Sequence, residues 1–342
     1  MDRKEFLGSM TALAAGALLP AATPSASAPP DEQAVRIPPY LKAGDTIALT
    51  SPAGPITTEE MAPAIALIES WGFRIRLGSS IGKKNFNMGG TDEERLADLQ
   101  QLLDDRSVKA ILCARGGYGS VRIVDRLNWT KFIQHPKWLI GFSDITVLHC
   151  HIHSKCGVAS LHSKMTNSFP SDWSKADPVQ VQTIESIRNA LLGRKQQFEP
   201  APHEANRPGS AEGLLVGGNL RIIENLAGTP SDLHTDGRIL FVEDTGEYLY
   251  SIDRMFWNLR RTGKLARLKG LVIGGFSVKP DDPGEEFGKT VAEIVMEKVR
   301  AYHYPVCFNF PVGHQRANFA LKCGVRHRLA VQPARVILTD DL

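Results

Sequence analysis

Three short stretches carry residue types that could act together on an acyl group. The sharpest is Ala114-Arg115-Gly116-Gly117-Tyr118-Gly119-Ser120, which follows an apolar run, Lys109–Cys113, and precedes a helical pattern, Val121–Leu127. A Ser at a tight strand-to-helix turn has its hydroxyl presented at the carboxyl end of the strand. Glycines there admit positive φ and a close substrate approach, and free amides of the new helix can stabilise an oxyanion. The logic is that of a nucleophile elbow, although the spelling is not G-x-S-x-G. The plainer reading is a tight turn with Ser120 as its cap. A nucleophilic Ser needs a base, and the base needs an orienting acid. Phe241-Val242-Glu243-Asp244-Thr245-Gly246-Glu247 sets carboxylates just past one β run, and Phe310-Pro311-Val312-Gly313-His314 sets a His just past another. Each alone has an ordinary explanation, a solvated strand end or a packed His. Three strand ends in two domains point to a cleft between those domains.

Positioning those residues requires a fold whose strand ends converge. From Asp45 the chain alternates short apolar runs with amphipathic stretches. Strands are expected at Thr46–Ser51, Phe73–Leu77, Val108–Cys113, Trp138–Phe142 and Gly157–Leu161, with helices near Thr58–Trp71 and Asp92–Asp104. The second helix sets Leu96, Leu99 and Leu103 on one face. This alternation predicts an α/β fold with a mainly parallel sheet covered on both faces. Pro170, Pro178, Pro200, Pro202 and Pro208 then bracket one polar helix near Val179–Leu192, which reads as an interdomain connection. Beyond it, strands at Leu214–Val216, Arg238–Val242, Leu271–Ile273 and Val306–Phe310 alternate with helices at Asn219–Leu226, Ser251–Arg261 and Gly288–Tyr302. Phe319–Leu338 reads as antiparallel strands. The expected plan is a nucleophile-bearing α/β domain over 35–170, a connection over 171–212, and a second domain over 213–342 that carries the Glu and the His.

Composition narrows the function classes. With 342 residues the chain is long enough for two domains, and its net charge of only +3 argues against a dedicated nucleic-acid binder. Five Cys without a C-x-x-C pair make a disulfide framework or a four-thiolate zinc site an unexpected reading. Residues 1–30 read as an export signal: a short polar start, an apolar run from Met10 to Leu19, then small residues near Ala21–Ala28. Arg3-Lys4-x-Phe6-Leu7 resembles a twin-arginine signal with Lys as the second basic residue. The run is too short to span a bilayer, so an exported, periplasmic protein with no stable membrane insertion after signal removal is expected. Gly284–Thr290 looks like a phosphate-binding loop but has three residues between its glycines where four are needed. His149, His151 and His153, with Cys156 and His162 nearby, could be imagined around a metal, but their apolar neighbours favour packing.

Six motifs occur in a telling order: Ser51-Pro52-Ala53-Gly54, Arg115 to Ser120, Gly141-Phe142-Ser143-Asp144, Gly217-Gly218-Asn219-Leu220, Glu243-Asp244 and Pro311-Val312-Gly313-His314. Together they resemble the LD-carboxypeptidases, serine peptidases that include muramoyltetrapeptide carboxypeptidase and the microcin C self-immunity enzymes. The match runs from about Pro38 to Leu338. The resemblance implies a Rossmann-like N-terminal domain joined to a smaller β-rich C-terminal domain, usually as a homodimer. It places the triad on Ser120 as nucleophile, His314 as base and Glu243 as orienting acid, with oxyanion amides at Gly117 and Val121. It implies no metal or organic cofactor and a murein peptide substrate whose terminal D-Ala is released. A peptidyl-nucleotide antibiotic is the alternative substrate within the family, and a periplasmic solute-binding protein is the alternative from another class. An exopeptidase must recognise a terminal carboxylate, for which Arg115 and Arg254 are of the right type. Asp144 reads first as a helix start capped by Ser143 and second as a cleft contact. One segment departs from the pattern: many members have a His-Gly-Pro-Met-like stretch where this chain has His162-Ser163-Lys164-Met165.

Overall fold

The computed structural model describes residues 35–340; the expected export signal lies outside them. The first part of the chain runs β1 (Thr46–Thr50), α1 (Thr58–Ser70), β2 (Arg74–Leu77), α2 (Asp92–Asp104), β3 (Val108–Cys113), α3 (Thr130–Gln134), β4 (Trp138–Gly141), α4 (Thr146–His151) and β5 (Ser160–His162). Then come α5 (Pro178–Leu191), β6 (Gln197–Phe198), β7 (Gly209–Asn219), α6 (Leu220–Asn225), β8 (Ile239–Glu247), α7 (Leu249–Arg261), β9 (Gly270–Val278) and α8 (Val291–Val299). Four short strands close the chain: β10 (Val306–Cys307), β11 (Leu321–Cys323), β12 (Arg326–Val331) and β13 (Val336–Asp340). Capping boxes start three of the long helices, Thr57 with Glu60 at α1, Thr91 with Glu94 at α2 and Thr290 with Glu293 at α8. Thr290 thus ends the phosphate-loop lookalike as an ordinary helix cap.

Two sheets result. The first has the order β11-β5-β4-β3-β1-β2, with β1 to β5 parallel and β11 antiparallel at the edge. The second has the order β10-β9-β8-β7-β12-β13-β6, parallel from β10 to β7 and antiparallel beyond. The fold is therefore α/β with a parallel half to each sheet, as the apolar runs predict. Residues 171–212 do more than connect. α5 buries Ile184, Ile187, Ala190 and Leu191 in the core beside the first sheet, and β6 extends the second.

A continuous apolar cluster joins the two sheets. It includes Val147 and Leu148 of α4, Val216 of β7, and Leu220 and Ile223 of α6. The carboxyl ends of β3, β4, β8 and the segment after β10 are consequently held in fixed relation. One expected element is different. The helical pattern Val121–Leu127 folds as two 3-10 turns, Ser120–Arg122 and Val124–Arg126, which leaves the segment after the glycines tight and inward-facing.

Candidate active site

The base and its acid meet as the motifs suggest. Glu243, completely buried near the end of the parallel part of β8, accepts a hydrogen bond from His314 Nδ1 at 2.6 Å and from the His314 backbone N–H at 3.1 Å. A carboxylate on Nδ1 fixes the tautomer that leaves Nε2 free to accept. Gly313 makes the approach possible. Its φ is +104°, and a side chain there would overlap Glu243 Cβ. Asn318 Oδ1 holds the Gly313 amide at 2.8 Å.

The serine at the imidazole is Ser143, not Ser120. His314 Nε2 lies 3.2 Å from Ser143 Oγ. Ser143 has φ +63°, in the left-handed region that non-glycine residues seldom adopt, and it stands where β4 turns into a 3-10 turn and α4. That is a strained Ser on a sharp strand-to-helix turn, the physical content of a nucleophile elbow. Its side chain is partly exposed. Ser120 is 0% exposed, and its side chain faces the Asp144 carboxylate. The expectation that Ser120 is the nucleophile is therefore corrected. The inward 3-10 turn that replaces a helix after Gly119 hides the Ser120 hydroxyl from any substrate.

The glycine turn nevertheless borders the site. A side chain on Gly116 would come within 3.0 Å of Ser143 Cβ and 3.2 Å of its Oγ, so this backbone passes directly beside the hydroxyl. An oxyanion amide belongs to the residue after the nucleophile, paired with one from a neighbouring loop. With Ser143 as nucleophile that rule points to the Asp144 amide in place of Val121, with the glycine turn that passes beside Ser143 as the neighbouring loop. The Asp144 carboxylate is not a substrate contact: it is 3% exposed and accepts the Ser120 amide at 2.8 Å. Burial raises its pKa, against the backbone N–H and the side chain of Ser120, the Gly119 N–H and the charge of Arg95. Asp144 thus clasps the glycine turn to the nucleophile turn.

Arg95 does the same from below. It is fully buried on α2, donates through Nη1 to Gly119 O at 2.9 Å and to Pro52 O, and is ion-paired with Asp92. The helical pattern marks only leucines as inward, so Arg95 and buried Asp98, which accepts from Thr50 Oγ1 at 2.7 Å, escape a sequence reading. Asp244 anchors the other side. It accepts from the amides of Thr245 and Arg221 at 2.8 and 2.9 Å and from Asn219 Nδ2 at 3.2 Å. Burial pushes its pKa up to about 6, and the neighbouring Glu243 charge pushes the same way against those N–H groups.

The two arginines expected near a carboxylate are engaged elsewhere. Arg115 Nη1 lies 3.7 Å from Glu60 Oε1 on α1, and exposed Arg254 stacks over Tyr250 on α7, 5.4 Å from the ring centroid. A cation that sequence reasoning left without a role, Lys164, lies at the site instead, 5.6 Å from the Phe142 ring centroid. The histidines of α4 are separately satisfied: His149 between Ser160 Oγ at 2.8 Å and Gly141 O at 2.9 Å, and His151 against Ser231 Oγ at 2.9 Å. Among the described residues no group of three or more His, Cys, Asp or Glu is placed to hold a metal ion.

A Glu–His–Ser relay set at converging strand ends of two α/β sheets defines a serine hydrolase. Family models for the LD-carboxypeptidase N-terminal domain and the LD-carboxypeptidase C-terminal domain match residues 47–163 and 212–329. The chain belongs to the LD-carboxypeptidase family. It is 33% identical over 295 residues to a probable murein peptide carboxypeptidase of Bacillus subtilis, covering 84% of this chain and 90% of that one. It is 30% identical over 283 residues to a murein tetrapeptide carboxypeptidase of Pseudomonas aeruginosa, covering 81% and 91%. The solved muramoyltetrapeptide carboxypeptidase of Oxalobacter formigenes superposes with a TM-score of 0.77 at 27% identity, over 87% of this chain and 99% of that one.

Proposed function

We propose that the protein is a serine carboxypeptidase that cleaves the bond between an L-configured centre and the terminal D-amino acid of murein peptides. The observation that carries this reading is the relay Glu243–His314–Ser143, with 2.6 and 3.2 Å between successive partners; the family resemblance supplies the substrate class. Ser143 Oγ attacks the carbonyl as its proton passes to His314 Nε2. The amide of Asp144 and the neighbouring glycine turn take the developing oxyanion, and His314 returns the proton to the leaving amine. Water, activated by the same imidazole, then releases the acyl group and restores Ser143. Glu243 holds the imidazole's tautomer and stabilises its charge throughout.

Incubation with L-Ala-γ-D-Glu-meso-diaminopimelate-D-Ala is expected to release D-Ala. Ser143→Ala should abolish that release, while Ser120→Ala, with an inaccessible hydroxyl, should keep most of it. The opposite pattern would return the nucleophile to Ser120.

We propose further that residues 1 to about 28 direct export and that the mature enzyme is a periplasmic homodimer. The composition of that segment supports the first point and the family resemblance the second. Among the described residues no helix is long and apolar enough to cross a membrane. N-terminal sequencing and light-scattering mass of the periplasmic fraction are expected to show a start at about residues 21–30 and twice the chain mass. An intact Met1 terminus confined to cytosol would refute export, and a monomer mass would refute the dimer.

A further inference from the structure

His162-Ser163-Lys164-Met165 leaves the end of β5 directly into the active site. Lys164 spans the two catalytic turns. Its Nζ donates to the carbonyl of Gln315, the residue after His314, at 2.7 Å, and it lies 5.6 Å from the ring centroid of Phe142, the residue before Ser143. The Phe142 ring in turn packs 4.9 Å from the imidazole, centroid to centroid. Met165 Cε would come within 3.3 Å of a side chain on Gly116. The ammonium is only partly exposed, so its charge is poorly solvated and is offset chiefly by Glu243. It carries three N–H donors, of which Gln315 O takes one.

The chemistry says what the others are for. His314 delivers its proton to the leaving amine, so the departing amino acid lies against the imidazole. Its carboxylate sits on the carbon next to that amine, within about 4 Å of it by covalent geometry. A cation flanking the imidazole is where that carboxylate arrives. We propose that Lys164 binds the terminal carboxylate of the amino acid released by the enzyme, a specificity role that rests on the carboxypeptidase reading above. One charge-assisted hydrogen bond in a half-desolvated site is enough to distinguish a free acid from its amide.

The test compares the tetrapeptide free acid with its C-terminal amide, using the wild type, Lys164→Met and Lys164→Arg. The wild type should favour the acid by about tenfold or more in kcat/KM. Lys164→Met should lose about tenfold or more on the acid and clearly less on the amide, so that the preference collapses. Lys164→Arg should restore part of it, and inhibition by added D-Ala should weaken in the Met variant. A Met variant with the wild-type preference, or one impaired equally on both substrates, would overturn the assignment. A wild type that releases neither D-Ala from the acid nor D-alaninamide from the amide would overturn the carboxypeptidase reading and this proposal with it.

Discussion

At the scale of single residues the site turns on which of two serines the backbone exposes. Each stands in a turn after an apolar strand and close behind a glycine: Ser120 follows Gly119 directly, and Phe142 separates Ser143 from Gly141. What distinguishes them is three-dimensional: φ of +63° and partial exposure at Ser143, complete burial at Ser120. Such strain costs about 1–3 kcal/mol, and it is retained because it aims Oγ at the imidazole. Ser143→Ala and Ser143→Gly should both reduce kcat by about 10⁴-fold or more, yet only the Gly variant should gain stability, by about 1 kcal/mol in denaturant unfolding. Equal stability of the two variants would mean the backbone there is not strained. A strand-end carboxylate and a strand-end His are local features that the sequence shows, but Asp244 and Glu247 share that stretch, and it is the family resemblance that selects Glu243 and His314. The choice of serine was not legible, since burial depends on how the 3-10 turn after Gly119 packs.

At the scale of elements, α2 is the part whose role the sequence conceals. Its leucines follow the helical period, and β3, β4 and the helix bounds follow from similar patterning. Arg95 and Asp98 lie on the same buried side, and only the carbonyls and hydroxyls brought to them by other segments explain why. Arg95→Leu leaves the carbonyls of Gly119 and Pro52 without their donor and Asp92 without its buried partner. Unfolding free energy should fall by about 3 kcal/mol, and kcat should fall as the glycine turn loosens beside Ser143. Full activity and unchanged stability in that variant would show that the turn holds itself.

At the scale of the whole molecule, buried titratable groups set the response to acid. Burial holds His149 and His153 neutral, lowering each pKa to about 4. The unfolded chain binds those protons near pH 6.5, so it takes up more protons than the folded one between about 6.5 and 4, and stability falls as pH falls through that window. Asp244, with its pKa raised to about 6, acts the other way: the folded state holds its proton longer, so this group lowers stability as pH rises from about 4 to 6. Burial keeps His162 and His151 low as well, so four imidazoles outweigh the two buried carboxyls, Asp244 and Asp144. Net proton uptake on unfolding at pH 5 is expected, measurable by calorimetry in buffers of different ionisation enthalpy, and Asp244→Asn should increase it. Net proton release at that pH would contradict the burial of these rings.

The edge strand β11 has a consequence for how the protein is made. Leu321–Cys323 pairs with Ser160–His162, so the first sheet lacks its last strand until nearly the whole chain has left the ribosome. The N-terminal half cannot be finished as an independent piece during synthesis, and its open edge at β5 must be shielded while the rest is translated. Birth order and sheet order are thereby uncoupled: the segment synthesised almost last completes the layer begun first.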